Sequence, residues 1–284
     1  NTKIVSLNNI GELTYEYQSL DGKTKTIKDI IDNNHKITGE IINSKNPMII
    51  LGESFQKLKS ANYLFNSLKE FLSKNNKFTQ NWNPLNLLSV DASTVGNLDL
   101  DLIDNSNTIL DDLNKNKFEI IFLAGQDNLD FKKKDEFIIY QGSHGDRGAE
   151  IADIILPGAA FTEQSGHYTN LEGKIQKAYK ASYPPGDAKE DWQIINDLAE
   201  IMNKRKLFND KDELESSMFN YLKIKQEQLT SDINYKKSDN NFVNEILNIE
   251  FKDYYFSNVI ARSSKTMIEC NNSKLDFKKT GTEG

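Results

Sequence analysis

Few residues in this chain could do chemistry, and their spacing narrows what that chemistry could be. A glycine series, Gly142-x-x-Gly145-x-x-Gly148, follows the apolar run Phe137–Tyr140. Backbone amides in such a turn can cradle phosphate oxygens. The spacing is not G-x-G-x-x-G, however, and the sequence favours the plainer account that these glycines permit tight turns at positive φ. His144 with Asp146, and His167 with Glu163, could be posed as acid–base pairs. Neither pair has a nucleophile, a metal partner or a third orienting group in view, so no catalytic residue is expected. The carboxylates Asp99 and Asp101, and Asp111 with Asp112, read as solvated charge flanking helices.

The remaining ligand types are scarce. One cysteine, Cys270, excludes an internal disulfide, and it excludes a cluster held by four thiolates of this chain. It falls at helical steps from Ile260, Ser263 and Met267, which suits a buried, inert thiol. The three histidines, His35, His144 and His167, lack zinc-type spacing. Metal ligands are therefore expected to be none. A net charge of −7 lacks the basic stripe that nucleic-acid binding needs. No apolar run approaches the ~18–20 residues of a membrane span. The length of 284 residues allows one large domain or two small ones.

These residues must be positioned by elements that the periodicity outlines. Lys3–Leu7 and Leu13–Gln18 are plausible strands, the second alternating Leu13, Tyr15 and Tyr17 with Thr14 and Glu16. Ile27, Ile30 and Ile31, then Ile37, Ile41 and Ile42, have the spacing of short helices. Pro47–Gly52 is a strand, followed by a helix striped by Leu58, Ala61, Phe65, Leu68 and Leu72, the start of a βαβ unit. Trp82, Leu85, Leu87 and Leu88 are expected to cover the core, and Ile109, Leu110 and Leu113 suggest a short helix. Phe118–Ala124, Phe137–Tyr140 and Ile154–Leu156 are runs without alternation, expected to be buried on both faces as in a parallel sheet. Asp127 and Asp130 lie in the turn after the first of these, and Asp153 is expected to bond backbone in an adjoining turn.

Pro184-Pro185-Gly186-Asp187 halts the chain before a helix that Asp187 would cap and Glu190 would support. Its apolar face would be Trp192, Ile195, Leu198, Ala199 and Met202. Leu214, Met218, Tyr221 and Leu222 stripe a further helix, and the polar run 231–241 resembles a linker.

The series Ala152–Pro157, Glu163, Gly166, Asn170, Glu172-Gly173 and Gln176 resembles the signature of the molybdopterin oxidoreductase fold. With Tyr140-Gln141-Gly142-x-His144-Gly145-Asp146, with Pro184–Gly186 before Glu190–Trp192, and with a tail at 251–270, the text is similar to one branch. That branch is the 75 kDa iron–sulfur subunits of respiratory complex I, in their C-terminal half.

The resemblance implies an α/β fold of Rossmann-like parallel sheets flanked by helices, the molybdopterin-type fold without its cofactor, with a helical C-terminal tail. Residues 1–203 would form the α/β domain and 204–284 a charged helical extension and tail. Gly142, Gly145, Gly148, Asn170, Glu172 and Gly173 would then be what remains of a cofactor site, with Asn170 and Glu172 now pinning their loop. Gly166 is expected where a side chain would clash. The family's iron–sulfur cysteines belong to an N-terminal region absent from this sequence, or to a companion chain. The chain begins at Asn1, as a processed protein or the later part of a longer one would.

The expectation is a structural part of the matrix-side peripheral arm of mitochondrial NADH:ubiquinone oxidoreductase, with no redox centre of its own. Its partners would be other complex I subunits, above all the cluster-bearing half, with neither nucleic acid nor direct membrane insertion. It would belong to an enzyme without catalysing. The alternatives are a fragment of a molybdopterin-dependent oxidoreductase that grips its cofactor through Gly142–Gly148 and Asn170–Gly173, or a free-standing scaffold protein.

Overall fold

A computed structural model describes residues 2–103, 109–126, 132–145, 147–229, 242–248 and 253–279. It divides into two compact units, Asn1–Thr94 with Ser231–Phe251, and Val95–Thr230 with Lys252–Gly284. The turn containing Asp127 and Asp130, the residue Asp146 and the linker at 231–241 lie outside the described residues.

In the first unit, β1 (Val5–Ser6) pairs in parallel with β2 (Gln18–Ser19). The longer strand expected over Leu13–Gln18 does not form. Gly11 turns at φ +88°, and the Tyr17 hydroxyl accepts from the Ile10 amide and donates to the Gly11 carbonyl. The loop is thereby tied to itself, and Leu13 and Tyr15 face solvent. Helices α1 (Thr24–Ile31) and α2 (Lys36–Asn43) follow, with Ile27, Ile30 and Ile37 turned inward as their spacing requires.

Next come β3 (Ile49–Gly52), α3 (Glu53–Gln56), α4 (Ala61–Lys74) and β4 (Leu85–Leu88). The two strands are parallel, so β3–α4–β4 is the expected crossover unit. Leu64, Leu68, Phe71 and Leu72 of α4 are buried at steps of four, three and one. They pack with Ile27, Leu51, Phe55 and Leu85 into the core of this unit. Leu87 and Leu88 stay exposed, while Trp82 donates from its indole to the Pro47 carbonyl at 2.7 Å.

A distant stretch, 242–248, returns to this unit and is held by two buried hydroxyls. Thr24 Oγ1 donates to the Val243 carbonyl at 2.9 Å and accepts from the Glu245 amide at 2.7 Å. Ser60 Oγ serves Val243 likewise, giving to its carbonyl at 3.0 Å and taking from its amide at 2.7 Å. Both residues are fully buried, 0% exposed, so the hydroxyls have no water to fall back on.

The second unit opens with α5 (Thr94–Asp99) and α6 (Ile109–Asn114). Then β5 (Ile120–Ala124), β6 (Phe137–Gly142), α7 (Arg147–Ile151) and β7 (Ile154–Pro157) build a parallel sheet of order β5-β6-β7. An antiparallel hairpin of β8 (Gly166–Thr169) and β9 (Ile175–Ala178) follows. The helices α8 (Asp191–Asn203), α9 (Lys211–Leu229), α10 (Val259–Ser263) and α11 (Lys265–Lys279) complete the unit. Leu214, Met218 and Leu222 form the inner stripe of α9, while Tyr221 is exposed and donates to Asp101 at 2.8 Å. Lys225, on the same helix, donates to the carbonyls of Leu98 and Asp99 at 3.0 Å, a cation on the C-terminus of α5.

The expectation that the apolar runs are buried on both faces is corrected here. Residues paired in register share a face. One face carries Ile121, Leu123, Ile138 and Tyr140, packed on Ala149, Ile151 and Ala152. The opposite face carries Ile120, Phe122, Phe137 and Ile154, exposed by 64%, 38%, 42% and 45%. On that face Gln141, at the carboxyl end of β6, is buried against the start of α8, while on the α7 face Ile155 of β7 is itself 53% exposed.

Other expectations fail for local reasons. Lys189 bridges Gly158 in extended conformation, so α8 cannot start at Asp187. It starts one turn later, capped by Glu190, whose amide donates to Gln193 Oε1 at 3.2 Å. Ile194 and Asn196 are its buried positions, leaving Ile195 and Met202 in solvent. Cys270 is exposed rather than buried. Ser264 breaks the helix with φ −82° and ψ 121°, so Ile260 and Ser263 do not share a continuous helical face with Met267 and Cys270.

Two substitutions check this account by urea denaturation of the chain. Thr24→Val keeps the shape but takes the acceptor from the Glu245 amide and one of the two hydroxyl donors from the Val243 carbonyl, which keeps Ser60 Oγ, so it should destabilise by about 1–3 kcal/mol. Gly166 meets no atom within 4 Å of an added Cβ and has no positive φ, contrary to the clash expected there. Gly166→Val should therefore change stability by no more than about 0.5 kcal/mol.

Candidate functional site

The carboxyl end of β6 is where an open parallel sheet would seat a ligand, and the glycine series lies there. Tyr140 and Gly142 are two apart on one strand and so point to the same face. Tyr140 is 1% exposed and lays its ring along its own strand, donating from its hydroxyl to the His144 carbonyl at 3.0 Å. A Cβ on Gly142 would stand 2.2 Å from Tyr140 Oη and 2.4 Å from Cζ. A Cβ on Gly148 would stand 2.8 Å from Tyr140 Cδ2 and 2.8 Å from the Gln126 carbonyl oxygen. Neither glycine has the positive φ that the tight-turn account required, and nor does Gly145, which faces open space. Gly142 and Gly148 are thus brought together around one ring, with Gly145 standing clear.

Asn170, Glu172 and Gly173 form a different feature, the turn of the β8–β9 hairpin. Asn170 Oδ1 accepts from the amides of Glu172 and Lys174 at 3.0 and 2.9 Å, and Gly173 sits at φ +80°. This is an Asx-type turn whose side-chain acceptor is spent on its own backbone.

The posed acid–base pairs do not assemble. His144 Nδ1 lies 2.9 Å from Ser143 Oγ, and Asp146 falls outside the described residues. Glu163 accepts from the Ala160 amide at 3.0 Å and closes a local turn instead of meeting His167. His167 packs edge-on against Phe219 at 5.3 Å. Its acidic neighbour is Glu215, held below the usual carboxylate range chiefly by the hydrogen bond from Lys177, with His167 a lesser contributor. Asp153 accepts from the Ile138 amide at 2.8 Å, so it bonds the neighbouring strand β6 and not its own turn, and it pairs with Lys133 at 2.6 Å. Among the described residues, no three His, Cys, Asp or Glu could hold a metal ion.

A polar cluster that periodicity did not reveal ties the sheet end to α8. Gln141 is 2% exposed and donates to Asp191 Oδ1 at 2.8 Å, leaving its Oε1 buried without a partner. Gln164 donates to Asp191 Oδ2 at 2.7 Å and accepts from the Asp191 amide at 3.1 Å. Next to it, the Glu190 carboxylate receives Lys211 at 2.6 Å, Lys180 at 3.1 Å and the Trp192 indole at 3.2 Å. Burial alone would push the Glu190 carboxyl up, but the hydrogen bonds from Lys211 and Lys180 outweigh it and hold the group below its ordinary range. The signal available in the sequence was the alternation itself. Tyr140 and Gln141 must face opposite ways, and a glutamine inside a buried strand needs a polar partner.

The Glu190 cluster makes a pH-dependent prediction. A carboxyl depressed in the folded state stabilises above its unfolded pKa, and that contribution fades as pH falls through the lower folded value. Glu190→Gln should cost about 1–3 kcal/mol at pH 7. The gap in urea midpoint between variant and parent should narrow steadily below the ordinary glutamate range. A gap that stays constant with pH would show that the charge is not what the lysines hold.

Known proteins match the chain along most of its length. The sequence profile of the family described as molybdopterin oxidoreductase matches residues 1–201. A second profile, for the C-terminal part of the G subunit of NADH-ubiquinone oxidoreductase, matches residues 213–270. The chain is 33% identical over 280 residues to the NADH-ubiquinone oxidoreductase 75 kDa subunit of Reclinomonas americana, covering 95% of this chain and 40% of that one. It is 34% identical over 290 residues to the mitochondrial 78 kDa subunit of Candida albicans, covering 95% and 39%. To the mitochondrial 78 kDa subunit of Neurospora crassa it is 32% identical over 276 residues, covering 92% and 36%. It thus spans about two fifths of the length of these curated relatives. With parallel strands, crossover helices and a family profile running through residue 201, the chain belongs to the molybdopterin oxidoreductase family, its later part matching the C-terminal region of the NADH-ubiquinone oxidoreductase G subunit.

Proposed function

We propose that this chain is a structural part of the peripheral arm of NADH:ubiquinone oxidoreductase, on the matrix side of the mitochondrial inner membrane. It stands where the C-terminal part of a 75 or 78 kDa subunit would stand and buttresses the region that carries the iron–sulfur clusters. The observation that carries this reading is the uncovered sheet face of Ile120, Phe122, Phe137 and Ile154. A contiguous apolar face of this kind marks an interaction surface on a folded protein. The relatives have the remaining three fifths of a longer chain with which to cover it. The two strands β3 and β4 repeat the pattern, with Met48, Ile50, Leu88 and Val90 each about half exposed. In descent the chain reads as an α/β body over 1–203 and an extension over 204–284, although its compact units cut across that division.

The chain supplies one cysteine, too few for a four-thiolate cluster, so electrons would pass through neighbouring polypeptide. The family name implies a molybdopterin group, and the residues here do not fit one. The glycine turn that could hold its phosphate is filled by the Tyr140 ring, and Asn170 is spent on its own turn. This weighs against the reading as a cofactor-gripping oxidoreductase fragment.

Charge placed on the open face tests the proposal. Ile120→Lys with Ile154→Lys should leave the melting of the free chain within the range of surface substitutions, about 0.5 kcal/mol. On a native gel the parent chain should run with the NADH dehydrogenase activity band and the double variant should be lost from it. A parent chain absent from that band would favour a free-standing scaffold.

A further inference from the structure

We propose that Tyr140 is an internal occupant of the strand-end turn, a side chain seated where a phosphate-bearing ligand would sit, and that Gly142 and Gly148 are there to admit its ring. The inference concerns this chain's own packing and stands independently of any assembly. Three observations carry it. The ring is 1% exposed and so has no room to swing aside. The three atoms nearest an added Cβ at Gly142 all belong to that residue, with Oη, Cζ and Cε1 at 2.2, 2.4 and 2.9 Å. The hydroxyl donates to the His144 carbonyl at 3.0 Å, so the loop closes over the ring through its own backbone.

A turn that cradles phosphate needs its amides open and its glycines small so that a ligand can approach. Here the smallness of the glycines is used from the inside. The chemical class excluded is the pyrophosphate of a dinucleotide, because the volume next to Gly142 and Gly148 belongs to an aromatic ring. Gly148 has a second reason to lack a side chain, the Gln126 carbonyl at 2.8 Å, so Gly142 is the cleaner probe.

A double-mutant cycle on the full 284-residue chain reads the claim directly. Gly142→Ala alone should lower the thermal midpoint by roughly 5 °C, the size expected for a core clash in a domain of this length. In a Tyr140→Leu background the same substitution should cost less than half as much. Equal cost in both backgrounds would mean that the glycine serves the backbone, and would overturn the proposal.

Should Tyr140→Leu fail to fold, Tyr140→Phe keeps the test alive. Cζ remains 2.4 Å from the added Cβ, so the Gly142→Ala cost should persist, and its disappearance would count against ring seating. As a separate arm, inorganic pyrophosphate added to the parent chain should leave hydrogen exchange at the amides of 142–148 unchanged. Saturable protection confined to those amides would show an open cradle and sink the idea.

Discussion

The second unit is organised by a parallel sheet whose strands put apolar residues on both faces, packed on α7 on one and exposed along much of the other. Parallel strands carry no polar side, because the helices that connect them normally lie on both faces. In β5-β6-β7 the side toward α7 closes over Leu123, Ile138 and Tyr140. The reverse side is touched by α8 only at its end, through Gln141 and Asp191, and the apolar residues farther along stay in solvent. Leaving such a face in water costs on the order of 25 cal/mol for each Å² that a partner could bury. That cost is the physical reason to place the chain inside something larger.

β6 organises the unit because its last residues divide labour by parity. Tyr140 fills the space under the turn on the covered face. Gln141, one residue on, reaches from the other face to the first residue of α8. Glu190, the cap of that helix, is clasped by lysines from two different segments, Lys180 and Lys211. A site evolved for chemistry would leave some of these groups free to meet a ligand. Here the Tyr140 hydroxyl, the Asp191 and Glu190 carboxylates and the Asn170 acceptor are committed to the fold, and the Gln141 Oε1 that lacks a partner is buried.

Much of the fold was legible in the sequence. The strands at 49–52, 120–124, 137–142 and 154–157, their parallel pairing and the crossover helix follow from apolar runs closed by glycine or proline and from a 3.6-residue stripe. The hidden parts depend on long-range partners. Periodicity cannot say that Thr24 and Ser60 are buried donors, because their acceptors lie about two hundred residues away. Nor can it reveal that an apolar run is only half covered, since the residue types would be the same either way. The glycines were recognised as special for the wrong reason, since positive φ and close packing select the same residue. The Tyr-x-Gly spacing was the clue that separated the two. At Leu13–Gln18 alternation was present, but a self-bonded tyrosine and the Gly11 turn overrode it.

The central claim is that the bare side of β5-β6-β7 is an interface with the rest of a larger assembly. Hydroxyl-radical footprinting followed by mass spectrometry measures this at the residues themselves. In the purified NADH dehydrogenase assembly, Phe122, Phe137 and Ile154 should react at least severalfold more slowly than in the isolated chain, while Tyr254, 79% exposed in the loop before α10, serves as an internal reference. Equal labelling of the sheet face in the free and assembled states would contradict the account.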